Sequence, residues 1–77
     1  MLLDVEVLSP TNIIFKGKAS SIVLPGESGV FEVLAFHKHI MSRLLSGIVS
    51  IDGKKIYIKK GVVNVNKNKV LAIIEEM

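Results

Sequence analysis

Apolar residues recur at every second position through most of this chain. Leu3, Val5 and Val7 alternate with Asp4 and Glu6, the pattern of a strand with one buried and one wet face. Ser9-Pro10-Thr11-Asn12 is a turn cluster. Ile13-Ile14-Phe15 opens a second strand, which Gly17 interrupts as at a bulge or bend. Ser20 to Leu24 predicts a third strand, ended by Pro25-Gly26 as a type II turn. A fourth starts at Gly29 and sets Phe31 and Val33 on one face.

His37 to Ser46 breaks the period. Ile40, Met41, Leu44 and Leu45 have helical spacing, which predicts a loop carrying one turn of helix, closed by Gly47. Strands at Ile48 to Ile51 and Lys55 to Lys59 flank Asp52-Gly53, a strong two-residue hairpin signal. Val62 to Val65 and Val70 to Ile74 flank Asn66-Lys67-Asn68, whose asparagines tolerate positive φ. About eight short, evenly spaced strands predict a single all-β domain over residues 1–77, a sandwich or small barrel of antiparallel strands. No internal repeat, linker or low-complexity tract interrupts it.

Composition narrows the classes. The chain has 77 residues, 49% of them hydrophobic, which excludes intrinsic disorder. It has no cysteine, so neither disulfides nor thiolate zinc sites reinforce a core of marginal size. The longest apolar runs are about five residues, as in Val70 to Ile74, against about 20 for a membrane span. Asp4 and Glu6 stand where a signal peptide carries basic residues. Residues 1–47 carry four basic and four acidic groups, so the net +3 arises wholly after residue 47. Six lysines and no acid lie between Gly53 and Ile74.

Catalytic chemistry is nearly absent. His37 and His39 would share a strand face and, with Glu32 or Glu27, offer metal ligands; solvated loop histidines are the plainer reading. No serine occupies a G-x-S-x-G elbow, and no phosphate loop is present. Lys54, Lys55, Lys59, Lys60, Lys67 and Lys69 suit nucleic acid in the manner of an OB-fold. Only Tyr57 stands among them as a stacking platform, and edge lysines also guard against aggregation. Lys67, at a hairpin tip, matches the place of a modified lysine in a lipoate or biotin carrier, but Asn66 and Asn68 replace the usual Asp or Met neighbours.

One stretch is more specific. Leu24-Pro25-Gly26-Glu27-Ser28-Gly29-Val30-Phe31-Glu32-Val33-Leu34-Ala35-Phe36-His37, then Ile40-Met41, Leu44 and Gly47, resembles the signature of the ε subunit of F-type ATP synthases (δ in mitochondria). That signature is close to L-P-G-E-x-G-x-F-G-V-L-P-G-H-A-P-L-L-x-x-L-x-x-G. Val5-Glu6-Val7-Leu8-Ser9-Pro10 with Phe15-Lys16-Gly17 resembles the family's opening. Gly61 to Val65 and Val70 to Ile74 resemble its last strands. The likeness covers residues 2–75. It departs at Glu32 for glycine, Ala35-Phe36 for Pro-Gly, Lys38-His39 for Ala-Pro, and Lys60 for the first of two glycines.

The resemblance implies a flattened sandwich of two antiparallel sheets with eight to ten strands. It implies a non-catalytic rotor subunit, peripheral to the cytoplasmic face of the bacterial inner membrane. Its partners would be the γ subunit and the c-ring, with no cofactor, no nucleotide and no nucleic acid. Ser28, Gly29, Val30, Glu32 and His37 match family positions that face the c-ring; Ser9 and Ser42 match positions near γ. The family continues into an inhibitory helical hairpin that these 77 residues do not contain, so coupling without that brake is the expectation. The contrasting expectation is a free-standing basic β-domain that binds nucleic acid or another protein.

Overall fold

The computed structural model describes residues 1–77 and contains eight strands: β1 (Leu3–Leu8), β2 (Ile13–Ala19), β3 (Ser21–Gly26), β4 (Gly29–Leu34), β5 (Ile40–Leu44), β6 (Gly47–Ile51), β7 (Lys54–Asn66) and β8 (Lys69–Glu76). One layer runs β2-β1-β8-β7-β5, using the second half of β7. The other runs β4-β3-β6-β7, using its first half. The layers also meet at a corner where Gly26 pairs with Leu44. Overall extents of 31 × 26 × 20 Å suit two sheets about 10 Å apart with their side chains.

The alternating residues of β1 and Val33 of β4 face inward as predicted, and β8 adds a third inward set. Leu3, Val5 and Val7 of β1, Val33 of β4, and Val70, Ala72 and Ile74 of β8 belong to one cluster of 17 buried apolar side chains. Phe31 packs against it, half-buried. No polar or charged side chain is buried, so apolar burial alone drives collapse.

Gly17 does not interrupt its strand: β2 runs through it in register with Val5, and the register shift falls between Val7 and Leu8 instead. Four further features depart from the sequence-based expectation. First, β1 and β8 pair in parallel, from Asp4↔Lys69 to Leu8↔Ile73, so the sandwich is not wholly antiparallel. Parallel neighbours need a long crossover; here the crossover is the rest of the domain.

Second, Ile40–Leu44 is a strand, not a helical turn. Five residues nucleate a helix poorly, whereas pairing with Val65 through Gly61 satisfies their backbone.

Third, the strands expected at 55–59 and 62–65 are one. Ile56 and Ile58 face the core in the first half of β7, Val63 and Val65 in the second, so the inward phase shifts by one residue. A bulge between Ile58 and Lys60 absorbs that shift and lets one strand serve both layers.

Fourth, the β3–β4 turn lies at Glu27-Ser28, and Pro25 remains in β3, paired with Val30. The other neighbour of β3 changes there from β6 to β5, so the missing proline N–H leaves no ladder bond broken. Gly29 closes the turn at φ 122, a conformation that excludes most side chains.

Candidate functional site

The open edge of the sandwich, between β4 of one layer and β5 of the other, carries most of the residues singled out by resemblance. A shallow concavity of about 290 Å³ there is lined by Ser28, Gly29, Val30 and His37, together with Ile40 and Ser42. Ser28 sits at the Glu27-Ser28 turn, and Val30 points outward from β4, about three-quarters exposed (74%). Glu32 lies two residues on, exposed on the outer face of β4 and outside the concavity. His37 is half-buried, and its Nδ1 lies 2.9 Å from the Lys38 carbonyl, which places a proton on that nitrogen.

The two serines expected near γ separate. Ser42 lines the open-edge concavity with the first set; its hydroxyl donates to the Arg43 carbonyl at 2.9 Å. Ser9 lies in the β1–β2 turn, where its Oγ accepts the Asn12 amide at 3.1 Å.

Between them lies a surface that residue-by-residue matching missed. The outer face of β5, β7 and β8 exposes Met41 (76%), Val62 (50%), Leu71 (41%) and Ile73 (47%). Val62 pairs directly with Ile73 across the sheet, and Met41 with Asn64, two residues along from Val62 on the same face. A groove of about 520 Å³ runs across it, lined by Val62 and Ile73 and bounded by Pro10, Arg43, Leu45 and Lys60. The signal was present in the sequence. Val70 to Ile74 is apolar at five consecutive positions, so this strand has an apolar residue on both faces, and only one faces the core.

The rest of that sheet face carries Asp4, Glu6, Lys16, Lys18 and Lys69, of which Asp4 and Lys18 form an ion pair. The Lys18 ammonium donates to Asp4 at 2.6 Å and holds its carboxyl below the ordinary carboxylate value.

The lysines of residues 54–69 do not form one basic face. Lys54 lies over the Phe15 ring at 5.5 Å, while Lys59 and Lys60 sit 4.0 and 3.8 Å from Glu75 at the bulge. Lys67 is at the far turn, with φ 49. Tyr57 is exposed on the opposite layer from Lys69. The two histidines do not converge either: His39 Nε2 lies 3.1 Å from Asn64 Oδ1, away from the His37 contact.

Comparison with known proteins accords with this geometry. Residues 2–77 match the family model described as ATP synthase, Delta/Epsilon chain, beta-sandwich domain. The ATP synthase epsilon chain of Nitratiruptor sp. is 41% identical over 78 residues, covering 95% of this chain and 60% of that one. Thus the chain spans about 60% of the length of the curated relatives it matches. A chain in the structure of the Euglena gracilis mitochondrial ATP synthase (OSCP/F1/c-ring) superposes with a TM-score of 0.86 at 23% identity, over 97% of this chain and 51% of that one. A chain in the Tetrahymena thermophila mitochondrial ATP synthase central stalk and c-ring gives 0.83 at 12% identity, over 96% and 63%. At those identities the two structures testify to the shared fold.

Proposed function

The chain belongs to the family of ATP synthase delta/epsilon chain β-sandwich domains, and on that footing we propose that it is the rotor domain joining γ to the c-ring. In this reading it performs no chemistry and binds no cofactor or nucleotide. It transmits torque, so that ion-driven rotation of the ring reaches the catalytic subunits through γ. It is peripheral, held at the cytoplasmic face of a bacterial inner membrane by its partners.

The observation that most supports the reading is the pair of adjoining surfaces. The open edge carries Ser28, Gly29, Val30 and His37 in one concavity, with Glu32 beside it, and suits the polar loops of a ring. The neighbouring sheet face, with Met41, Val62 and Ile73, is apolar and suits a permanent partner such as γ, because obligate interfaces bury apolar cores. Ser42 lies where the two surfaces meet. A rotor joint needs two different faces at once, and a rigid sandwich holds them in fixed relation. Partner binding also stabilises a domain of this size, since only the folded form offers the surfaces.

Site-directed cross-linking in the assembled enzyme tests the assignment. Cysteines at Ser28 and Val30 are expected to form disulfides with cysteines in the polar loop of subunit c, and a cysteine at Val62 with γ. Cross-links of Ser28 to γ and of Val62 to subunit c would reverse the two faces. Absence of both sets in an assembled enzyme would overturn the reading.

A further inference from the structure

Three segments meet around Asn68 at the end of the sandwich opposite the Glu27-Ser28 turn. The Asn68 carbonyl accepts the Asp4 amide at 2.8 Å, which fixes the start of β1. Its side-chain Oδ1 accepts the Phe36 amide at 2.6 Å, which fixes the loop between β4 and β5. Phe36 is held at φ 66, uncommon for an aromatic residue, and the residue is 76% exposed. Met1 (82% exposed), Leu2 and Leu34 project at the same end.

Cations surround these apolar side chains. Lys38 follows Phe36 by two residues, Lys67 caps the β7–β8 turn, and Lys69 starts β8; all three are exposed. Two acids at this end are engaged. Asp4 is paired with Lys18 at 2.6 Å, and the Asp52 carboxylate accepts the Ser20 and Ser21 amides.

We propose that this tip docks on an anionic lipid surface, with Phe36, Met1 and Leu2 entering the headgroup region and Lys38 and Lys67 meeting lipid phosphates. Apolar side chains ringed by lysines suit an interface with apolar depth beneath a negative surface. Single-stranded nucleic acid demands aromatic platforms, and Phe36 is the one aromatic ring here; Met1, Leu2 and Leu34 stack poorly on bases. The strained, hydrogen-bonded presentation of Phe36 is difficult to reconcile with a side chain that merely failed to reach the core. Because this tip lies opposite the Glu27-Ser28 turn, the lipid-docked chain is a state distinct from the ring-bound one, and lipid binding requires neither partner.

The test is flotation of the 77-residue chain with vesicles of phosphatidylglycerol and phosphatidylcholine, and with phosphatidylcholine alone, at low and high salt. The chain is expected to float with the anionic vesicles only, and less at high salt. Phe36→Asn keeps a residue that accepts positive φ and should lower partitioning about tenfold or more. Lys38→Gln and Lys67→Asn should each lower it about fivefold. Circular dichroism checks that each variant keeps its sheet. No flotation with anionic vesicles at low salt, or undiminished flotation of folded Phe36→Asn, would overturn the proposal. So would binding to a single-stranded oligonucleotide without vesicle binding.

Discussion

The Asp52 carboxylate accepts the backbone amide of Ser20 at 2.9 Å and that of Ser21 at 3.0 Å, across more than thirty residues of chain. The contact ties the β6–β7 hairpin to the corner where β2 leaves one layer and β3 enters the other. Asp52 holds φ 48, so its residue type serves the turn as well as the bonds. Asp52→Ala should cost about 1–2 kcal/mol. Asp52→Asn keeps one acceptor and the turn preference, and should cost less than half of that. Urea unfolding of both variants measures the difference; equal losses would mean that the two-oxygen carboxylate, which asparagine lacks, carries the contribution and the turn preference adds nothing.

Gly61 has no room for a side chain. A Cβ there would lie 2.6 Å from the Ile73 carbonyl oxygen and 2.9 Å from the Ile74 side chain. Gly61→Ala should destabilise by about 1–3 kcal/mol, since backbone at that distance must shift. Serine at the adjacent exposed Lys60 should change stability by less than about 0.5 kcal/mol. Thermal unfolding of the two variants side by side checks the contrast.

Asp4 predicts a pH dependence of known sign. The Lys18 hydrogen bond lowers its folded pKa, slight desolvation opposes this, and the charges of Lys18 and Lys69 add to the lowering from the ordinary 3.8. A depressed folded pKa stabilises the folded state above the unfolded value. That contribution is lost as pH falls from about 3.8 through the folded pKa. Lys18→Met should move the Asp4 titration midpoint, followed by NMR, up toward 3.8. An unmoved midpoint would show that the ion pair is absent in solution.

Much of the strand structure was legible: alternation placed β1 and the shared face of Phe31 and Val33 in β4, turn signals on either side placed β6 and β8, and Asp52-Gly53 forms its hairpin. What escaped was settled between strands rather than within them. Ile40-Met41 and Leu44-Leu45 fit a helix as well as a strand, and only pairing with β7 decides. Pro25 looked like the start of a turn because its tolerated place, where β3 exchanges neighbours, exists only in the assembled sheet. At the β7–β8 turn the asparagine reading was half right: Asn68 takes φ 63, but its positive-φ partner is Lys67, while Asn66 stays in the strand. For the site, the motif matched Ser28, Gly29, Val30 and His37 to one edge. The apolar face around Val62 carried no motif, only a run of apolar residues longer than one core-facing strand needs.

That face makes a further prediction. Val62 is half exposed and contributes little to the core, so Val62→Asp should change stability by about 0.5 kcal/mol or less. If γ covers it, the same substitution should weaken γ binding about 30-fold or more, as for a desolvated interface centre. Calorimetric titration of γ with the folded variant reads the effect. Unchanged affinity would move γ to another surface.

The central claim is that this domain is a rotor joint. Its most direct test is co-expression of the tagged chain with γ from the same genome, followed by co-purification and mass measurement. The account predicts a stable complex of one copy of each. Recovery of the tagged chain alone, with γ shown to be folded, would contradict it.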